Sequence, residues 1–123
     1  PRGFGPPLHR HDVEDELFYV IDGEVRFSCD GDEAAHGSGA VVWLPRGRAH
    51  QFQILSETAR VLQVTTPAQF ERFVAALGRP APEPVLPEPE EIDPGHVADV
   101  CARFGIEVLG PPPAPLDAPV PPA

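Results

Sequence analysis

The sequence predicts an all-β fold, an antiparallel β-barrel of short strands, followed by a short C-terminal helical extension. Three observations carry this. Between residues 16 and 65, short β-prone runs recur at regular spacing with turn residues between them. Asp22-Gly23 is a strong two-residue hairpin signal. At Thr66-Pro67 the apolar pattern changes from a period of two to that of a helix.

Taken in order, residues 16–21 are apolar and aromatic, and residues 24–28 alternate Val25 and Phe27 with polar neighbours, so the two runs predict a hairpin about Asp22-Gly23. Further turns fall at Asp30-Gly31-Asp32 and at Gly37-Ser38-Gly39. Residues 40–44 form a dense β-prone run that stops at Pro45, and residues 45–48 read as a turn because Pro fixes φ and Gly47 supplies a positive φ. Two more strands are expected near residues 50–55 and 59–65. Thr66 then reads as a helix N-cap and Pro67 as a first helical residue, with Phe70, Phe73, Val74 and Leu77 on one face up to Gly78. A proline-dense connector covers residues 79–91. Asp93-Pro94 starts a second helix whose stripe is Val97, Val100, Cys101 and Phe104, capped by Gly105. The expected division is a barrel over residues 1–66, a helical extension over 67–110, and an extended or disordered Pro/Ala-rich tail over 111–123.

Composition bounds what such a fold can do. The 123 residues suffice for one domain. Nineteen acidic against nine basic residues give a net charge of −10, which repels phosphate backbones and anionic lipid, so neither nucleic acid nor a membrane surface is expected as a partner. No apolar run approaches a membrane span and no signal segment opens the chain, which makes cytoplasm the expected location. Cys29 and Cys101 lie in segments of different character and read as reduced thiols.

The chemistry concentrates in residues 7–16. In an extended segment, residues two apart point to the same side, so His9 and His11 can aim at one point while Arg10 faces away. Glu16 shares a face with Phe18 and Val20, and a carboxylate aimed into an apolar interior is costly unless a cation receives it. By the same parity His50 shares a face with Phe52 and Ile54. Four such side chains from separate strands converge only if the sheet closes, and then they suit Fe, Mn, Ni, Co or Zn. Asp12, Glu14 and Asp15 fall in the connecting loop and are expected to face solvent, as are His36 and His96. Phe18, Val20, Val42, Leu44, Phe52 and Ile54 are the candidate pocket lining, with ordinary core packing as the alternative. Leu17 and Tyr19 point the opposite way, and such an apolar outer face needs cover from a homodimer or from the helices.

These residues resemble the cupin superfamily, whose two signatures occur here in order. The first, Gly, five residues, His-x-His, four residues, Glu, six residues, Gly, is met by Gly3, His9, His11, Glu16 and Gly23. The second, Gly, five residues, Pro-x-Gly, two residues, His, three residues, Asn, is met by Gly39, Pro45, Gly47 and His50, with Ile54 in place of Asn. That Asn is not a metal ligand in the family, so its replacement makes the pocket wall more apolar and spares the ligands. The resemblance implies a double-stranded β-helix of jelly-roll type with His9, His11, Glu16 and His50 on one divalent metal. Cupins usually carry one or two strands before the first signature, where only two residues precede Gly3 here, so the expectation is that those strands are either truncated from this stretch of sequence or replaced by pairing from a neighbouring chain. The run from Pro6 through Val20, the Leu44-Pro45-Arg46-Gly47 turn and the helical extension are similar to small quercetin 2,3-dioxygenase-like cupins. This implies a dioxygenase acting on a small apolar or aromatic, flavonol-like substrate, with Glu16 both ligand and proton acceptor. A metal-dependent isomerase or epimerase and a non-enzymatic metal- or metabolite-binding module are the rival expectations.

Overall fold

The computed structural model describes residues 1–116. In chain order the elements are β1 (His9–His11), β2 (Asp15–Asp22), β3 (Val25–Cys29), β4 (Asp32–His36), β5 (Val41–Leu44), β6 (His50–Ile54), β7 (Arg60–Thr66), α1 (Phe70–Leu77), α2 (Pro94–Arg103) and β8 (Ile106–Val108). A five-stranded sheet, ordered β4-β3-β6-β1-β8, lies against a three-stranded sheet, ordered β5-β2-β7. Every pairing is antiparallel. The two-residue alternation does what the sequence predicts along β2, where Glu16, Phe18 and Val20 are buried while Tyr19 and Ile21 are exposed. Phe18, Val20, Val25, Phe27, Leu44 and Ile54 form the core between the sheets. Each such side chain contributes about 1.5–3 kcal/mol of transfer free energy.

Two turns with the same Asp-Gly dipeptide behave differently. At Asp30-Gly31 both residues take positive φ, 49° and 88°, and the chain closes a two-residue hairpin with Cys29 opposite Asp32. At Asp22-Gly23 only Gly23 does so, at 88°. The hairpin expected there does not form: β2 and β3 belong to different sheets, and the turn carries the chain from one to the other. Gly23 sits where a Cβ would lie 2.5 Å from the Thr58 carbonyl oxygen, so the crossing is packed against the 56–58 loop.

The helical region departs from expectation at its start. Thr66 does not cap α1, because it pairs with Asp15 as the last residue of β7; α1 begins four residues later, at Phe70, after Gln69. Asp93 caps α2 as predicted, accepting from the Gly95 amide at 2.9 Å with Pro94 in the first turn. Gly105, at φ 70°, then reverses the chain. Beyond it, Ile106–Val108 is strand rather than helical extension, and it pairs with β1. The pairing that β1 needs on that side therefore comes from the chain's own C-terminal region. Residues 111–116 are neither helix nor strand, yet they are held on the barrel. The Pro111 carbonyl accepts from the Leu8 amide and Gln51, and the Ala114 carbonyl accepts from Gln53. Residues 117–123, the rest of the expected tail, lie outside the described residues.

No helix among the described residues is long and apolar enough to cross a membrane. Cys29 and Cys101 are free thiols, as expected. Of the two histidines expected at the surface, His96 is exposed, whereas His36 is half-buried with its ring 5.9 Å from that of Phe27.

Candidate metal centre

Antiparallel pairing sets His9 directly opposite His50 on neighbouring strands β1 and β6. His11 follows two residues along β1, and Glu16 reaches the same point from β2 in the facing sheet. The turn before β6 is fixed to both: the Gly47 amide donates to the His11 carbonyl at 2.8 Å, and the Asp15 carboxylate accepts from the Arg46 amide and guanidinium. These bonds hold the Asp15 carboxyl below the usual carboxylate range, with the Arg46 side chain the main cause. Asp15 thus acts as a clasp for the turn, whereas Asp12 is exposed as expected.

One donor atom from each of His9, His11, Glu16 and His50 lies within 4.8 Å of every other. Ligands at about 2.1 Å from one ion stand at most about 4.2 Å apart, so a small contraction would place all four on a single metal. His11, Glu16 and His50 are 1–2% exposed. Each imidazole has its Nδ1 beside an acceptor: the Pro7 carbonyl for His9 at 2.7 Å, Glu14 Oε2 for His11 at 2.9 Å, and the Arg48 carbonyl for His50 at 3.2 Å. With the proton held on Nδ1, the Nε2 lone pairs are free to face the centre. His11 Nε2 and His50 Nε2 are buried without a hydrogen-bond partner. His50 Nε2 is 2.7 Å from Glu16 Oε2, but the contact lacks hydrogen-bond alignment. Unpartnered buried nitrogens beside a buried carboxylate fit a divalent cation, the donor set that imidazole and carboxylate provide.

Electrostatics agree with this arrangement. Burial, followed by the neighbouring His50, pushes the His9 pKa down to about 4, so its ring is neutral at pH 7. For Glu16, burial disfavours charge, while His50 and then His11 and His9 favour it wherever those rings carry a proton, and the net direction is below the ordinary carboxyl range. Glu16 Oε1 also accepts from Gln63 Nε2 at 2.7 Å.

Glu14 is a correction to the sequence reading. It is 1% exposed rather than solvent-facing, with Oε2 on His11 Nδ1 and Oε1 accepting from Gln69 Nε2 at 2.7 Å. Its signal lay only in its place three residues after His11, a spacing that many surface acids share.

A cavity of about 230 Å³ opens at the four candidate ligands. Phe18, Phe52 and Gln63 contribute barrel wall, and Phe70, Phe73, Leu77, Val97 and Cys101 roof it from the helices. Val20, Val42, Leu44 and Ile54, also proposed as lining, do not reach it; the first, third and fourth are core residues and Val42 packs against them. The helix residues that do line it were readable as an apolar stripe but not as cavity wall. A larger groove of about 390 Å³, between Arg26, Glu33 and residues 113–116, contains none of the candidate ligands.

Two facing antiparallel sheets with three imidazoles and a carboxylate at their junction define a small β-barrel protein with a candidate metal centre. The family model for the cupin domain matches residues 1–65, and the chain belongs to the cupin family. It is similar to quercetin 2,3-dioxygenase of Bacillus subtilis, 25% identical over 112 residues, which is 90% of this chain and 33% of that protein. The chain thus spans about a third of that relative's length. Among solved structures it resembles KdgF from a Halomonas species, with a TM-score of 0.55 and 21% identity over 58% of this chain and 64% of that one. It also resembles a predicted oxalate decarboxylase from Thermotoga maritima, with a TM-score of 0.50 and 29% identity over 53% and 57%.

Proposed function

We propose that this cupin binds one divalent transition metal through His9, His11, Glu16 and His50 and uses it as a dioxygenase on a small, largely apolar or aromatic substrate bearing an acidic hydroxyl. The observation that carries the reading is the junction of a buried carboxylate with an apolar cavity. Glu16 lies at the candidate centre and on the wall of a space otherwise lined mainly by Phe, Val, Leu and Pro side chains. Among the described residues no Arg lines that space, which disfavours phosphorylated sugars and carboxylate-rich metabolites. At about 230 Å³ it is smaller than the roughly 300–1,000 Å³ of drug-sized sites, so a compact one- or two-ring portion of the substrate fits best. The likeness to the Bacillus quercetin 2,3-dioxygenase supports the same class, since the match spans the helices as well as the barrel.

A bound metal would supply a Lewis-acid position for a substrate oxygen and, when redox-active, a route for electrons to O₂. The chain supplies the rest. Glu16, held charged at neutral pH, takes the proton of the substrate hydroxyl. Gln63 orients that carboxylate through its amide, and Phe18, Phe52, Phe70 and Phe73 hold a flat apolar body and exclude water. With the metal found in the protein restored to full occupancy, a flavonol or a smaller aromatic enol should drive stoichiometric oxygen uptake in an oxygen-electrode assay. Saturable thermal stabilisation by such compounds with no oxygen consumed and no product would sink the dioxygenase and favour the binding module.

The same reading includes a homodimer. The helices cover the cavity and leave the outer face of β5-β2-β7 bare, where Tyr19, Ile21, Val41, Trp43, Leu62 and Val64 are all 39–60% exposed. A second copy docking by this face would remove one contiguous apolar surface from water on each partner. Sedimentation equilibrium at micromolar concentration should return twice the chain mass for the wild type and a monomer for Trp43→Asp. A monomeric wild type would end the claim.

A further inference from the structure

Glu14 stands in an acidic run, yet it is buried, and both of its oxygens are engaged. Oε2 accepts from His11 Nδ1 at 2.9 Å, and Oε1 accepts from Gln69 Nε2 at 2.7 Å. Gln69 is the residue on which α1 begins, and the same amide donates to the Phe104 carbonyl, at the end of α2, at 3.0 Å. One hydrogen-bonded chain therefore runs from the end of one helix, through the start of the other, to an imidazole of the candidate centre. The next residue, Phe70, extends the contact, with its ring 5.8 Å from that of His11.

We propose that Glu14 and Gln69 are positioning residues that act as a pair: Glu14 holds the proton of His11 on Nδ1 and its Nε2 toward the centre, and Gln69 fixes Glu14 to the helices that roof the cavity. This rests on the metal reading given above. Its physical basis is that a carboxylate offers acceptors to both donors at once. A glutamine in its place has one oxygen for two donors, so either His11 or Gln69 loses its partner. A buried donor without a partner is costly, and the ring orientation that the bond enforced is released. The roof and the ligand are thereby linked, and what loosens the docking of α1 also loosens His11.

The probe is Co(II) alone, titrated into metal-free wild type, Glu14→Gln, Gln69→Leu and the double variant, with the melting temperature of each recorded beside it. Glu14→Gln should weaken cobalt binding about 10–100-fold, and Gln69→Leu by a smaller factor. The double variant should fall within about twofold of Glu14→Gln, because one chain is broken in both. In ¹⁵N spectra of the metal-free protein, His11 should be in the Nδ1–H form in wild type and lose that uniformity in Glu14→Gln. A purely structural role would lower the melting temperature and leave the tautomer unchanged. Cobalt affinity and tautomer both unaltered in folded Glu14→Gln would overturn the proposal, as would losses that multiply in the double variant. If the wild type takes up no cobalt, the metal reading fails, and the tautomer measurement by itself decides the role of Glu14.

Discussion

Replacing both His9 and His11 by alanine should take the protein from about one equivalent of bound divalent metal to none. The effect is large because β1 supplies two of the four candidate ligands, and the remaining pair, Glu16 and His50, come from facing sheets. Two donors hold a divalent ion weakly against water, whereas four convergent ones, three of them buried, hold it through purification. The check is elemental analysis of untagged protein purified without chelator, with wild type and variant handled side by side. Either Fe, Mn, Ni, Co or Zn in the wild type would fit the donor set. His50→Ala serves as the control from the other strand and should also be empty. Equal metal in all three proteins would show that the ion sits elsewhere, and none in the wild type even after reconstitution would move the function to a metal-free binding module.

The second large effect is expected at Glu16. Glu16→Gln keeps the volume and one acceptor oxygen but removes the charge, so it should weaken metal binding and abolish proton removal from the substrate. At matched metal occupancy, turnover should fall by roughly 10²–10⁴-fold, the usual contribution of a positioned general base. The amide also confronts Gln63 with a donor where it now meets Glu16 Oε1. Comparing rates at equal metal content separates lost chemistry from lost ion, and full activity in Glu16→Gln would remove Glu16 from the mechanism.

The four candidate ligands were legible because strand parity is a local property. His9 and His11, then Glu16 with Phe18, then His50 with Ile54 each follow from a period of two, and the described structure brings their donor atoms together. What parity does not reveal is which strands meet. Asp22-Gly23 and Asp30-Gly31 are the same signal, and only the positive φ of Asp30 marks the second as a true hairpin. The first feeds opposite sheets, because the inward residues on either side of it fill the core from its two sides. Thr66 resembled a cap until its pairing with Asp15 drew it into β7. The burial of Glu14 is invisible to local pattern because it depends on Gln69, 55 residues away, and on Phe104 beyond it. Likewise β8 is three residues long and has no periodicity to read; only its partner β1 makes it a strand.

The candidate ligands are all encoded between residues 9 and 50, whereas the roof over them is encoded between residues 70 and 108. The candidate ligands and most of the cavity roof are thus written on different stretches of one gene. A substitution at Phe73, Leu77 or Val97 reshapes the chamber without touching an imidazole, so on the proposed function new selectivities could be sampled while the candidate ligands are kept. The exception is the segment that pairs with β1, where His9 faces Val108 and His11 faces Ile106. Exchanging the roof for another therefore succeeds only if the replacement ends in a strand that fits the same edge.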